Sequence, residues 1–147
     1  MADHFPENVI LTEVGLRDGF QFEKRVVPTA MKLEIIADLI AAGVKSIQVT
    51  SFVDPTIVPQ TADAEALVER LPSLENVDFN ALVLNIKGVK RAMASGLKSL
   101  EISMSASESH SRKNAGMGVK TAMEQCTKMV RLAKACGVKV RAGIQCA

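Results

Sequence analysis

Apolar residues follow two different spacings along the chain, and the two spacings alternate. Apolar positions three and four residues apart predict amphipathic helices over residues 28–43, 61–71, 85–95 and 119–135. Short runs rich in branched apolar residues predict strands over residues 9–14, 46–50, 79–84, 99–103 and 138–144. Helices that alternate with strands in this way are typical of β/α units, so the pattern predicts an α/β protein with a parallel sheet.

A short motif recurs where three of the predicted helices end. Gly43, Gly96 and Gly137 each follow an amphipathic segment, and each is followed two residues later by a lysine and then by a strand-like run. Glycine readily adopts the left-handed conformation that commonly ends a helix. The repeat therefore predicts that the same β/α unit is used several times.

The number of predicted strands leaves two architectures open. Five parallel strands could form an open, doubly wound sheet, or they could be the first five strands of an eight-stranded TIM barrel, which normally needs about 250 residues. The segment after the first strand, residues 15–19, lacks the G-x-G-x-x-G pattern of dinucleotide-binding sheets. We therefore predict an incomplete (β/α)8 TIM barrel of about five β/α units. Residues 1–147 would be the amino-terminal part of a single catalytic domain.

Composition and charge exclude several classes of protein. The 147 residues are 48% hydrophobic and 23% charged, as expected for a globular chain with a core. The net charge of +2 provides no basic field for nucleic acid, and no apolar run is long enough to cross a bilayer.

The start of the chain and its cysteines bear on the cellular compartment. Residues 1–8 contain no secretory signal pattern. Cys126, Cys136 and Cys146 are odd in number and ten residues apart, which fits neither a disulfide framework nor a zinc site. We predict a reduced, cytoplasmic protein with no nucleic-acid partner and no membrane partner.

A charged pair follows the first predicted strand. Arg17 and Asp18 lie between Gly15 and Gly19, at the carboxyl end of that strand, where active sites of parallel α/β proteins are built. A carboxylate there can hold a hard cation, and a guanidinium can stabilise an anion that develops on a substrate oxygen. The alternative is a surface turn in which the two charges are solvated or pair weakly.

Further polar residues lie at the carboxyl ends of the predicted strands, and in a barrel they would meet at one rim. Each of them alone could be an ordinary loop or capping residue, and Asn85 in particular begins a predicted helix. Their convergence is what a barrel active site requires. These residues are Gln21, Gln48, Thr50, Ser51, Asn85, Ser103, Ser105, Ser107, Glu108 and Gln145.

Residues 13–21 read Glu-Val-Gly-Leu-Arg-Asp-Gly-Phe-Gln and resemble the opening motif of the 3-hydroxy-3-methylglutaryl-CoA lyase family, Glu-Val-Gly-Pro-Arg-Asp-Gly-Leu-Gln. Leu16 and Phe20 replace the usual Pro and Leu. The resemblance implies a TIM barrel with an Arg-Asp pair after its first strand. Further segments resemble the same family, and they extend the likeness to the last residue; they are residues 50–55, 58–60, 85–88, 106–114 and 140–147.

The resemblance also implies a reaction and residue roles. The reaction is cleavage of a 3-hydroxy-3-methylglutaryl-CoA-type thioester to an acyl-CoA and a keto acid with a divalent metal, Mg²⁺ or Mn²⁺. Asp18 would be a metal ligand, and Arg17 would neutralise charge on the oxygen near the breaking bond. Further candidates for binding the substrate or its CoA moiety are Gln21, Lys24, Gln48, Ser51, Asn85, Ser107, Lys113 and Asn114.

Two further features depart from the family pattern. Gln48 stands where many of these lyases carry a glutamate, so a charge and a capacity for acid/base chemistry are missing, which indicates a changed substrate or a divergent subfamily. The family's His-x-His metal pair cannot be mapped, because His4 precedes the first strand and His110 lies in the predicted loop after the fourth.

Three functions therefore stay open. The first is a carbon–carbon lyase whose active site needs a complementing carboxy-terminal half in the same or another chain. The second is a non-catalytic acyl-CoA-binding or assembly module that keeps the half-barrel, and the third is a related acyl-CoA-dependent synthase. Since five strands leave the edges of a barrel unpaired, we expect either self-association or a complementing half as partner.

Overall fold

The computed structural model describes residues 6–147, so the prediction that involved His4 falls outside the described residues. Five parallel strands form one sheet, and each strand pairs with its neighbours in sequence. The strands are β1 (Thr12–Glu13), β2 (Ser46–Ser51), β3 (Asp78–Val83), β4 (Ser99–Ser105) and β5 (Lys139–Gln145).

Helices connect every strand to the next. They are α1 (Thr29–Ala41), α2 (Ala64–Val68), α3 (Ile86–Ala94), α4 (Glu108–Ala115) and α5 (Val119–Ala135). Parallel strands in sequence order with helical crossovers are the arrangement of a TIM barrel, and five of them make a partial barrel. The predicted fold is confirmed.

The sheet has one apolar and one polar face. On the face that packs against the helices, residues paired in the strand register are apolar. Examples are Ala81 with Leu100 and Val83 with Ile102. Those strand residues form the core together with helix residues such as Ile36, Leu67, Val89, Met129 and Ala133. The opposite, inner face carries polar residues, among them Gln48, Asn80 and Glu101.

The first strand is much shorter than predicted. It spans Thr12–Glu13, and Val9, Ile10 and Leu11 are 73%, 79% and 80% exposed instead of buried. The apolar sequence predicted a buried strand, but β1 lies at the edge of the sheet and pairs with β2 over two residues only. Strand propensity without a packing partner does not make a strand.

Residues 108–115 form α4, where the sequence predicted a loop. This helix buries only Ser111, so it has no apolar stripe that periodicity could detect. Its start is instead marked by Ser107, whose Oγ accepts a hydrogen bond from the amide of His110 at 3.4 Å. The second predicted helix is also shorter than expected, because a 3₁₀ turn at Pro59–Thr61 precedes α2.

The predicted glycine caps are present. Gly43, Gly96 and Gly137 have φ values of 88°, 89° and 73°, and each follows a helix. After each glycine, the next amide donates back to a carbonyl of the preceding helix, for example from Val44 to Leu39 at 3.0 Å. The same left-handed ending therefore leads each of these helices into the following strand. Among residues 6–147, no helix has the length and apolar content that crossing a bilayer requires.

A buried ion pair ties α1 to the segment before α2. The ammonium of Lys32 donates to Asp63 Oδ1 at 2.6 Å and to the carbonyl of Gln60 at 2.7 Å, and Thr29 donates to Asp63 Oδ2. The side chain of Lys32 is 2% exposed and that of Asp63 is 20% exposed. A cation buried this deeply needs its partners, because water cannot replace them.

We expect the replacement Asp63→Ala to destabilise the chain by about 3 kcal/mol, since it leaves the Lys32 charge buried without a counter-ion. Lys32→Met should cost less, because it removes the charge and keeps the volume. The free energy of unfolding in urea is the measurement, with Asp38→Ala on the exposed side of α1 as control. Equal losses from Asp63→Ala and Asp38→Ala would contradict this interpretation.

The edges of the sheet predict association. β1 pairs with β2 alone and β5 with β4 alone, so within residues 6–147 each has one unpaired side. Exposed apolar residues such as Leu11 and Ile144 lie on these edge strands or next to them. We expect sedimentation at micromolar concentration to find dimers or larger species of the 147-residue chain. A single monomeric species with cooperative unfolding would instead indicate a self-contained open sheet.

Candidate active site

The turn after β1 carries Arg17 and Asp18, and its conformation fixes both. Gly15–Gly19 forms a single π-helical turn, in which the amide of Asp18 donates to the carbonyl of Val14 at 2.7 Å. Leu16 is 3% exposed and packs into the core. Burial of Leu16 anchors the turn, and the side chains of Arg17 and Asp18 are left 17% and 51% exposed.

The guanidinium of Arg17 is held from two directions. Its Nε donates to Oε1 of Gln48 at 2.6 Å, and its Nη1 donates to Oδ1 of Asp18 at 2.6 Å. A planar guanidinium that is bound at two of its nitrogens has little freedom to rotate. Arg17 is therefore fixed at the carboxyl end of the sheet, at the rim of the barrel.

Gln48 lies at the centre of the polar inner face and is fully buried. Its Nε2 donates to Oε2 of Glu101 at 3.0 Å and to Oδ1 of Asn80 at 3.3 Å. Asn80 in turn donates to Oγ of Ser46 at 3.4 Å. Hydrogen bonds across β2, β3 and β4 thus satisfy the amide groups that this face buries.

The remaining edge strands join the same network. Nη1 of Arg141 lies 3.7 Å from Oε2 of Glu101 and donates to Oγ1 of Thr12 at 3.2 Å. Thr12 also shares a hydrogen bond of 3.0 Å with Ser46. Arg141 therefore reaches across the barrel interior from β5 to β1. We call these six residues, Thr12, Ser46, Gln48, Asn80, Glu101 and Arg141, the inner polar cluster.

Gln48 is the one member of this cluster that the sequence predicts as a site residue. Asn80, Glu101 and Arg141 are polar residues inside segments that were recognised as strands by their apolar content. Polar residues at alternate positions of a predicted strand are the signal that could have identified them, because alternate residues share a face.

A cavity of about 520 Å³ opens beside Arg17. Its apolar lining includes Leu82 of β3, Met104 of β4 and Met129 of α5. Cys126 also lines it, and burial raises the pKa of this thiol, which therefore stays protonated at neutral pH. The cavity thus joins the charged rim to an apolar wall between β4 and α5.

Ten residues are predicted as catalytic, metal-binding or substrate-binding, and the structure brings five of them to this cavity. The five that line it are Arg17, Gln21, Ser51, Asn85 and Asn114. Two others contact Arg17 without lining the cavity, namely Asp18 and Gln48. The last three, Lys24, Ser107 and Lys113, are not among the described residues that line the cavity. The binding roles of all ten stay predictions.

Several of these residues also have a structural role. Asn85 caps α3, with Oδ1 accepting from the amide of Gly88 at 2.8 Å. Ser51 donates to Oγ1 of Thr61 at 3.2 Å, and Ser107 caps α4. Capping alone is a sufficient reason for Asn85 and Ser107 in the sequence.

The segment after β2 is held against α3 by Arg91. Its Nε and Nη2 donate to the two carboxylate oxygens of Glu65 at 2.6 and 3.0 Å, and its Nη1 donates to the carbonyl of Val53 at 3.0 Å. The Arg91 guanidinium holds the pKa of Glu65 below its usual range, and it lies 5.6 Å from the centre of the Phe52 ring. The contacts of Arg91 fix the segment after β2, which lines the cavity at Val53.

Asp18 is the residue predicted to bind a divalent cation, and its surroundings show what it can contribute. Residues 6–147 contain no group of three or more His, Cys, Asp or Glu side chains arranged to hold a metal ion. Asp18 is suitably exposed, but its Oδ1 is bound to Arg17. One carboxylate does not fulfil the six-fold coordination of Mg²⁺.

Comparison with known proteins gives a match over nearly the whole chain. The HMGL-like family model matches residues 8–147. Hydroxymethylglutaryl-CoA lyase, mitochondrial, from Gallus gallus is 37% identical over 142 residues, which cover 97% of this chain and 48% of that protein. The chain thus spans about half the length of the curated relatives it matches.

Solved structures agree with the sequence match. The hydroxymethylglutaryl-CoA lyase from Pseudomonas aeruginosa superimposes with a TM-score of 0.89 at 37% identity, over 95% of this chain and 46% of that one. An HMG-CoA lyase from Acinetobacter baumannii in complex with coenzyme A and 3-methylmalate gives a TM-score of 0.85 at 27% identity, over 92% and 44% of the two chains.

A close backbone approach between α3 and the segment after β2 provides a stability test. A Cβ atom on Gly88 would lie 2.5 Å from the carbonyl oxygen of Phe52, so Gly88→Ala forces α3 and the β2 segment apart. We expect a loss of about 1–2 kcal/mol in the free energy of unfolding, because the overlap exceeds the gain in helix propensity. Gly19→Ala is the matched control, since a Cβ there meets nothing within 4 Å. A Gly88→Ala protein as stable as the control would show that this approach is not tight.

Proposed function

Since the chain belongs to the HMGL-like family, we propose that it is the amino-terminal part of a single TIM-barrel lyase domain. The proposed reaction cleaves a carbon–carbon bond of a 3-hydroxy-3-methylglutaryl-CoA-type thioester and releases an acyl-CoA and a keto acid. The observation that carries the proposal is the fixed guanidinium of Arg17 at the rim of a cavity of about 520 Å³.

Arg17 is the catalytic residue in this proposal. A guanidinium has five N–H donors, and the bonds to Gln48 and Asp18 use two of them. The other donors of Arg17, which lines the cavity, would stabilise negative charge on the substrate oxygen next to the breaking bond. Because Arg17 is already oriented, this stabilisation needs no rearrangement during the reaction.

Gln48 has a supporting role in the same proposal. An amide cannot transfer a proton, so Gln48 does not act as the general acid or base. Its Oε1 instead holds Arg17 Nε, which leaves proton transfer to groups supplied with the rest of the site.

A divalent cation, Mg²⁺ or Mn²⁺, is the proposed cofactor. When bound, it would polarise the substrate oxygens as a Lewis acid. Asp18 fits as one of its oxygen ligands, and residues 6–147 contain no group of three or more His, Cys, Asp or Glu side chains that could hold the ion. A complementing carboxy-terminal half is therefore the proposed source of the remaining ligands.

The CoA thioester would enter the cavity from its charged rim. Gln21, Ser51, Asn85 and Asn114 offer hydrogen bonds there, and exposed lysines such as Lys24 and Lys113 could attract the anionic part of CoA at longer range. The coenzyme A in the Acinetobacter structure supports this class of ligand.

The free cysteines of residues 6–147 support our proposal of a reducing compartment such as the cytoplasm.

Two observations favour a second candidate function. The amide of Gln48 and the incomplete ligand set of Asp18 are compatible with a module that binds acyl-CoA or assembles with a partner without cleaving the thioester. The two candidates differ in turnover once the site is complete.

The test joins this chain to the segment of the Pseudomonas aeruginosa lyase that follows the matched region, in one polypeptide. We expect metal-dependent cleavage of 3-hydroxy-3-methylglutaryl-CoA by the joined protein, and weak or absent metal binding by the 147-residue chain alone. Turnover assays and calorimetric titration with Mg²⁺ or Mn²⁺ are the measurements. Binding of acyl-CoA without turnover would favour the non-catalytic module.

Variants of the joined protein separate the two charged residues. Arg17→Gln should leave metal affinity nearly unchanged and lower kcat by roughly a hundredfold. A loss of that size is the scale for removing one transition-state charge partner. Asp18→Asn should abolish metal-dependent turnover and weaken metal binding. Arg25→Gln, at an exposed position of the same segment, is the control. Normal metal binding and turnover by Asp18→Asn would refute the assignment of Asp18.

A further inference from the structure

Glu101 lies beneath the proposed active site, on the inner face of β4, and none of the proposed steps uses it. Its Oε2 accepts a hydrogen bond from Gln48 Nε2 at 3.0 Å, and its side chain is 24% exposed. On its other side, Nη1 of Arg141 lies 3.7 Å from the same oxygen. The carboxylate of Glu101 therefore sits between the amide of Gln48 and a cation.

The surroundings of Gln48 allow only one orientation of its amide. Its Nε2 faces the two acceptors Glu101 and Asn80, and its Oε1 faces the Nε–H of Arg17. A flipped amide would set its N–H groups against the N–H of Arg17 and its oxygen against the carboxylate of Glu101. Because Gln48 is fully buried, water is not available to rescue the flipped state.

We propose that Glu101 is a positioning residue, which orients the amide of Gln48 and through it the guanidinium of Arg17. This role rests on the proposed lyase function, because Arg17 is the catalytic residue only in that function. Asn80 is a second acceptor at the longer distance of 3.3 Å, so the charged acceptor Glu101 contributes more to the orientation.

The pairing also sets which residue types fit the two positions. An amide at 48 and a carboxylate at 101 provide one donor and one acceptor, whereas two carboxylates at this distance would repel each other. The reverse arrangement, a carboxylate at 48 and an amide at 101, keeps one donor and one acceptor and still offers an oxygen to Arg17. Positions 48 and 101 are therefore an exchangeable pair.

A double-mutant cycle tests the exchangeable pair. The four proteins are the original chain, Gln48→Glu, Glu101→Gln and the double variant, and the measurement is the equilibrium constant of unfolding in urea. We expect Gln48→Glu to raise this constant at least about tenfold more in the original chain than in the Glu101→Gln background, since only the original retains the opposing carboxylate. Additive effects of the two changes would overturn the exchangeable pair.

The Nε–H group of Arg17 reports the positioning directly by NMR. Its resonance can be assigned by its loss in Arg17→Lys. We expect Glu101→Leu to speed the exchange of this proton with water by about tenfold, because the released amide of Gln48 no longer protects it. Asp78→Asn is the matched control, since Asp78 is a carboxylate of the neighbouring strand that contacts Ser99 and Lys139 instead of Gln48. Unchanged exchange in Glu101→Leu would overturn the positioning role.

Kinetics of the joined protein add a readout that general destabilisation would not give. Glu101→Leu should lower kcat and leave KM within about twofold, because Arg17 acts in the transition state, and the conservative Glu101→Gln should restore most of kcat. A rise in KM with kcat unchanged would overturn the positioning role. If the joined protein without substitutions shows no turnover, the proposed lyase function fails, while the cycle and the exchange rates still decide the role of Glu101.

Discussion

A buried side-chain amide must satisfy both of its ends without water, and Gln48 does so with residues from three other parts of the chain. It takes a donor from the turn after β1 and gives its own hydrogens to Asn80 on β3 and Glu101 on β4. The cost of leaving any of these groups unpaired in a buried position makes the arrangement hold together as a unit. The position of Arg17 is therefore a consequence of how the inner face of the sheet satisfies its hydrogen bonds.

Two cationic side chains hold the segment that follows β2 in place. Lys32 is almost fully buried between α1 and the segment before α2, with Asp63 as its counter-ion. Arg91 joins Glu65 to the carbonyl of Val53 and so holds the segment after β2. In both cases a long cationic side chain from a helix ties down backbone at the carboxyl end of β2, where loops of a barrel otherwise have few contacts.

The outer face of the sheet contributes to stability, and the inner face carries the polar residues of the proposed site. The outer face buries apolar residues such as Leu100 and Ile102 against the helices and supplies the core. The inner face carries the inner polar cluster, which Arg141 closes by reaching from β5 to Thr12 on β1. A partial barrel can keep a polar interior only if such contacts replace those that a closed barrel would make, since buried polar groups need partners.

Strand and helix order, the glycine caps and the partial barrel followed from the sequence, because hydrophobic period and helix-ending glycines depend on neighbours in the chain. The motif around Arg17 and Asp18 by itself also indicated the family. Tertiary structure alone decided that Val9 to Leu11 stay exposed, that α4 exists without an apolar stripe, and that Lys113 lies outside the cavity lining. It also decided that Glu101 meets Gln48, 53 residues away in sequence, because register and barrel curvature, which no local pattern encodes, bring those strands together.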